Sequence, residues 1–131
     1  MEKWLVPKEK AKLVKWLLQA AVENDWTILF EYSEDEMSDF LKRSAMEVPL
    51  PLNGEHHYDE GCKLTAIKNP SVTDNFAKEI IGKTNVMSGY DTGGMVFLFA
   101  DDYHKDCFSC SSVFYNQHRE SLRNQELIEC Q

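Results

Sequence analysis

Apolar residues recur at helical spacing early in the chain. Ala11, Val14, Leu17, Leu18 and Ala21 form one stripe, widened by Leu13 and Val22. Pro7 suits a first helical position, where a missing N–H costs nothing, and Asn24-Asp25 offers a stop. The spacing therefore predicts an amphipathic N-terminal helix. The period then switches to two: Trp26, Ile28, Phe30 and Tyr32 alternate with Thr27, Leu29 and Glu31, which predicts a strand. Ser33 with Glu36 three residues later is a capping-box pattern, so a second helix is predicted over 34–43 with Met37, Phe40 and Leu41 inward.

Pro49, Pro51, Asn53 and Gly54 make 44–60 a long irregular connection. A short strand is predicted over 62–67 and a turn at Asn69-Pro70. A helix over 74–81 follows, capped by Thr73 and stopped by Gly82. Residues 85–88 read as a short strand and 89–94 as a loop. The run 95–100 is apolar on both faces, as in a strand central to a sheet. A turn over 101–106 leads to a partner strand over 107–115. Asn116 then caps a polar C-terminal helix carrying Leu122, Leu127 and Ile128. The predicted fold is a single α+β domain over residues 1–131. A small, mainly antiparallel sheet built on the hairpin at about 95–115 is packed by the N-terminal helix and two to three shorter ones.

Size agrees with this picture, since 131 residues match the usual length of one domain and can bury a sufficient core. No apolar run is long enough for a signal peptide or a membrane span, so a cytoplasmic protein is expected, its four cysteines free thiols. Charge adds the most. The net charge is −8, yet the first fifteen residues hold five Lys against two Glu, so the rest of the chain is strongly acidic. Between residues 31 and 39 there are five carboxylates, Glu31, Glu34, Asp35, Glu36 and Asp39, with no Lys or Arg among them. Carboxylates in a first helical turn favour the positive end of the helix dipole, which accounts for Glu34, Asp35 and Glu36. Glu31, Asp39, the Asp101-Asp102 pair and the acidic loop around Tyr58, Asp59 and Glu60 are in excess of that need. Acidity disfavours direct nucleic-acid binding, which depends on Lys and Arg, and favours docking of a basic protein.

Candidate reaction chemistry is sparse. Asp91-Thr92-Gly93 resembles the tripeptide of aspartic proteases, but Ser88-Gly89-Tyr90 precede it where apolar strand residues belong, and it reads as a turn. His104, Cys107 and Cys110, with His56, His57 and Cys62 in reserve, have metal-like spacing. Cysteines three apart on a strand point to opposite faces, however, and a second zinc-type pair is missing, so no metal is expected. His56-His57 beside Asp59 and Glu60 lacks a recognisable nucleophile. No phosphate-cradling glycine motif occurs.

With neither catalytic residues nor a cofactor expected, the chain reads as a small acidic binding protein. In general terms it resembles bacterial immunity proteins and antitoxins that occlude a basic toxin, often a nuclease. The acidic residues above and aromatics such as Tyr32, Tyr58, Tyr90 and Tyr103 would form the interface. A phage anti-defence protein mimicking nucleic acid is the alternative in the same charge class. A small metal-binding or enzymatic domain using the His/Cys residues is the alternative outside it.

Overall fold

The computed structural model describes residues 2–51 and 61–130. The chain runs β1 (Lys3–Trp4), α1 (Lys10–Asn24), β2 (Thr27–Tyr32), α2 (Asp35–Ser44), β3 (Met46–Val48), β4 (Lys63–Lys68), α3 (Asp74–Lys83), β5 (Val86–Asp91), β6 (Gly94–Phe99), β7 (Phe108–Cys110) and α4 (Ser112–Asn124). The strands form one antiparallel sheet of order β1-β7-β6-β5-β2-β4-β3, and the fold is α+β.

The two faces of the sheet differ. Ile28, Phe30, Tyr32, Met87, Phe97 and Phe99 point to one face and join the buried side chains of all four helices in the main core. The other face carries a smaller cluster of Leu29, Ala66 and Tyr90, flanked by Val48, Leu64 and Met95, all strand residues. Its middle row crosses all seven strands in register: Trp4, Ser109, Leu98, Ser88, Leu29, Ala66 and Val48. Period-two alternation delivers both sets from the same strands.

One irregularity adjusts the pattern. Gly89 faces Phe97 but Tyr90 faces Met95, so Val96 is an extra residue in β6. That bulge turns both Val96 and Phe97 toward the helix-covered core and Met95 toward the opposite face.

Several predicted boundaries move for local reasons. Pro7 does not start α1; it bridges Ile128, and the helix begins three residues later at Lys10. Ser33 forms no capping box: Glu34 is the N-cap residue of α2 without a side-chain cap bond, and Met37 N–H donates to the Glu34 carbonyl. Thr73 does cap α3 by accepting from Phe76 N–H at 3.0 Å, but Gly82 lies inside the helix, which runs to Lys83. The supposed loop at 89–94 is the β5–β6 hairpin, closed by Thr92-Gly93. Residues 46–48 within the supposed irregular connection form the edge strand β3. The largest correction is at 107–115, where the strand ends at Cys110. Ser111 accepts from Phe114 N–H at 3.1 Å and starts α4 five residues before Asn116.

Candidate partner-binding surface

The chain reversals at one end of the sheet include β2 into α2, α3 into β5, and β6 into β7. Backbone bonds tie them together. Asn85 N–H donates to the Glu31 carbonyl at 2.7 Å, and Asp102 N–H donates to the Asn85 carbonyl at 2.9 Å.

The first reversal displays the acidic run. Met37 and Leu41 anchor the inner side of α2, and Phe40 stacks on Phe76 with centroids 5.5 Å apart. That orientation leaves Glu34, Asp35, Glu36 and Asp39 exposed. Glu31 departs from the expected patch: it points to the second sheet face and is only 7% exposed. The run is also not free of cations. Lys63, register partner of Tyr32, pairs with Asp35. Lys83 binds Glu79 at 2.7 Å, which holds its ammonium above the usual lysine value, with Glu34 and Glu36 adding to the effect. Sequence spacing could not show either lysine, because both arrive through sheet register and helix packing.

The second acidic segment is built on backbone strain. Asp101, Asp102 and Tyr103 have φ of 52°, 55° and 61°, three successive non-glycine residues in the left-handed region. Each costs roughly 1–2 kcal/mol, so the surrounding contacts must over-determine the turn. They do so through Tyr103. Its side chain is fully buried, edge-on to Phe99 at 5.1 Å, and its hydroxyl lies 2.5 Å from Thr84 Oγ1. Thr84 spends its own proton on the Ile80 carbonyl at 2.7 Å, so Tyr103 is the donor. Burial pushes the Tyr103 hydroxyl far above the ordinary tyrosine range and keeps it protonated. With Tyr103 pinned inward, the Asp101 and Asp102 side chains stand outside. Thr84→Val is therefore expected to cost about 1–3 kcal/mol, by orphaning a buried donor in the strained turn. Tyr103→Phe should cost less, about 1 kcal/mol, since Thr84 keeps its bond to Ile80; paired urea titrations measure the difference.

Asp101, Asp102 and Asp106 are thus brought to the same end of the sheet as Glu34, Asp35 and Glu36, with Lys63, Lys83 and Lys105 interspersed. Tyr103 belongs to the core and cannot serve as an interface anchor. The same holds for Tyr32, which is 2% exposed and bonded to Thr65 at 2.6 Å, and for Tyr90 at 3% exposure. Tyr58, Asp59 and Glu60, together with His56 and His57, lie outside the described residues.

The other chemical candidates are dispersed. Asp91 accepts from Gly93 N–H at 2.7 Å, the local bond that closes the hairpin turn. His104 accepts from Asp106 N–H at 3.1 Å. Cys107 lies 4.0 Å from Asp101 Oδ2, whereas Cys110 is in the main core, where burial pushes its thiol up to about 11. Among the described residues no three His, Cys, Asp or Glu side chains are grouped to hold a metal ion, and no helix is long and apolar enough to cross a membrane.

Two clefts lined by described residues lie at the opposite end of the sheet. One of about 290 Å³ is lined by Asp25, Thr27, Pro51, Lys68 and Tyr90. The other, about 420 Å³, lies between the β5–β6 hairpin and the start of α4. The first is crossed by the Lys68–Asp25 pair at 3.1 Å. Compared with protein-family models, curated proteins and solved structures, the chain matches none of them.

Proposed function

We propose that this protein is a small inhibitory binding protein, an immunity protein or antitoxin that covers the active site of a basic toxin of the nuclease type. One observation carries the reading: the strained 101–103 turn and the start of α2 present exposed carboxylates at the same end of the sheet. A fold holds three left-handed non-glycine residues only at a cost, and such strain concentrates at functional positions. The mechanism is occlusion. Glu34, Glu36, Asp39, Asp101 and Asp102 take the places of substrate phosphates and pair with Lys and Arg of the partner. A mimic of nucleic acid is the weaker reading, because Lys63, Lys83 and Lys105 interrupt the negative field that such a mimic needs.

The test begins with cross-linking and mass spectrometry in cells that carry this gene, which should recover one basic protein whose activity the purified chain suppresses at equimolar ratio. The quadruple variant Glu34→Lys, Glu36→Lys, Asp101→Lys, Asp102→Lys should bind it roughly 100-fold more weakly, mainly through slower association. Raising salt from about 50 to about 500 mM should weaken the unaltered pair as well. A recovered partner whose affinity ignores both the charge reversals and the salt would sink the proposal.

A further inference from the structure

Helix α4 packs against α1 and the start of β2 along a stripe of Phe114, His118 and Leu122 at successive four-residue spacings, and its first turn is also held by Tyr115 against the core and by Ser112 bonded to Glu2. Phe114 and Leu122 are buried apolar residues at 1% and 0% exposure. His118, between them, is half-buried in an aromatic seam. Its ring centroid lies 5.2 Å from Trp16 of α1, 6.4 Å from Trp26 just before β2, and 4.9 Å from Phe114 of its own helix. An apolar side chain would serve packing alone at this position. A titratable one gives the seam two states.

We infer that His118 makes the α4 seam an acid-sensitive latch: proton uptake by its imidazole places a charge between Trp16 and Trp26 and loosens α4 from α1 and β2. Most charged groups of the packed elements near this seam hold contacts of their own, and Lys10 of α1 and Glu120 and Arg123 of α4 complete the set. On α1, Lys12 pairs with Glu9, Lys15 with Asp74, and Glu23 accepts from Gln19. Beside β2, Asp25 pairs with Lys68; on α4, Arg119 lies over the Tyr115 ring. Burial lowers the affinity of His118 for a proton below that of an ordinary histidine. The folded-state value therefore lies below the unfolded value of about 6.5. Stability supplied by the neutral ring is complete above that unfolded value. It is lost progressively as pH falls below it, because the unfolded chain then binds the proton more tightly.

The experiment follows the His118 ring proton by NMR, tryptophan fluorescence, and hydrogen exchange of the α4 amides, between about pH 7.5 and 5, where histidine is the side chain that ordinarily titrates. The expected result is one reversible transition in all three, with its midpoint below about 6.5. Protection of the α4 amides should fall about tenfold for each unit by which the midpoint lies below that value. His118→Phe keeps an aromatic filler without a proton site and should abolish the transition. His118→Gln should abolish it too, which covers the case in which Phe does not fit. A midpoint at or above about 6.5 would mean that the indoles stabilise the imidazolium, and overturns the inference. A transition that persists in both variants, or a titration that leaves α4 protection unchanged, overturns it equally.

Discussion

Gly89→Ala is expected to destabilise the protein by about 3 kcal/mol, a loss of roughly 10 °C in Tm, despite adding only a methyl group. The reason is close approach. A Cβ at Gly89 would sit 2.3, 2.8 and 3.0 Å from three ring carbons of Phe97, its cross-strand partner. Phe97 cannot retreat, since its ring is fully buried against Trp26 at 6.0 Å, Phe108 at 6.1 Å and Phe114 at 6.3 Å. The bulge next to Gly89 fixes the ring where it is, so relief would require the β5–β6 pairing to shift. Thermal unfolding of Gly89→Ala, Phe97→Leu and the double variant measures the coupling. The double variant should be more stable than the sum of the two single losses predicts, because exchanging the Phe97 ring for a shorter aliphatic side chain vacates the space that the new methyl needs. Strict additivity would show that the clash is not the cause.

Phe114→Ala should cost about 4 kcal/mol, the larger of the two effects. Phe114 is the hub of the aromatic core, with ring centroids about 6 Å from Trp16, Trp26, Phe97 and Phe108, and nearer still to His118. Truncation removes apolar area and leaves a cavity where α4 meets the sheet. The neighbours are rings that cannot collapse into it without losing their own ring contacts with one another. Phe114→Leu should recover more than half of the loss by filling most of that volume. Urea unfolding with matched m-values checks both figures, and a cost below about 1 kcal/mol for Phe114→Ala would mean that α4 is not anchored there.

Regular periodicity was the legible part of this chain. Ile28, Phe30 and Tyr32 face the main core as their alternation requires, and the Thr73 cap of α3 and the centre of the α1 stripe (Leu13, Val14, Leu17, Leu18 and Ala21) stand where spacing predicts, whereas Val22 is exposed at the end of the helix. Ser33 and Ser111 show where local reading stops. Each hydroxyl could cap a helix, but only Ser111 does. The aromatic and β-branched residues after it suit a strand, and only their packing against Trp16 and Trp26 decides for helix. Residues 46–48 become a strand because β4 offers an edge to pair with, which local composition cannot reveal. The acidic surface was half visible. The exposed carboxylates could be named from sequence, but not the burial of Glu31 and Tyr103, nor the lysines that register brings among them. Those depend on contacts far apart in the chain.

The two ends of the described chain are stitched together. β1 pairs with β7, Pro7 bridges Ile128, Lys8 N–H donates to the Leu127 carbonyl at 3.1 Å, and Glu129 N–H donates to the Val6 carbonyl at 2.8 Å. These bonds join residues more than a hundred positions apart, the most expensive loops to close in the fold. Contacts of such sequence separation raise the contact order of the fold and slow its formation, in contrast to the consecutive β5–β6–β7 strands, which pair locally. On the ribosome, the seam can close only once the segment around Leu127 has emerged. A chain stalled before α4 would leave Trp16, Trp26, Phe97 and Phe108 without the Phe114 ring that packs against them.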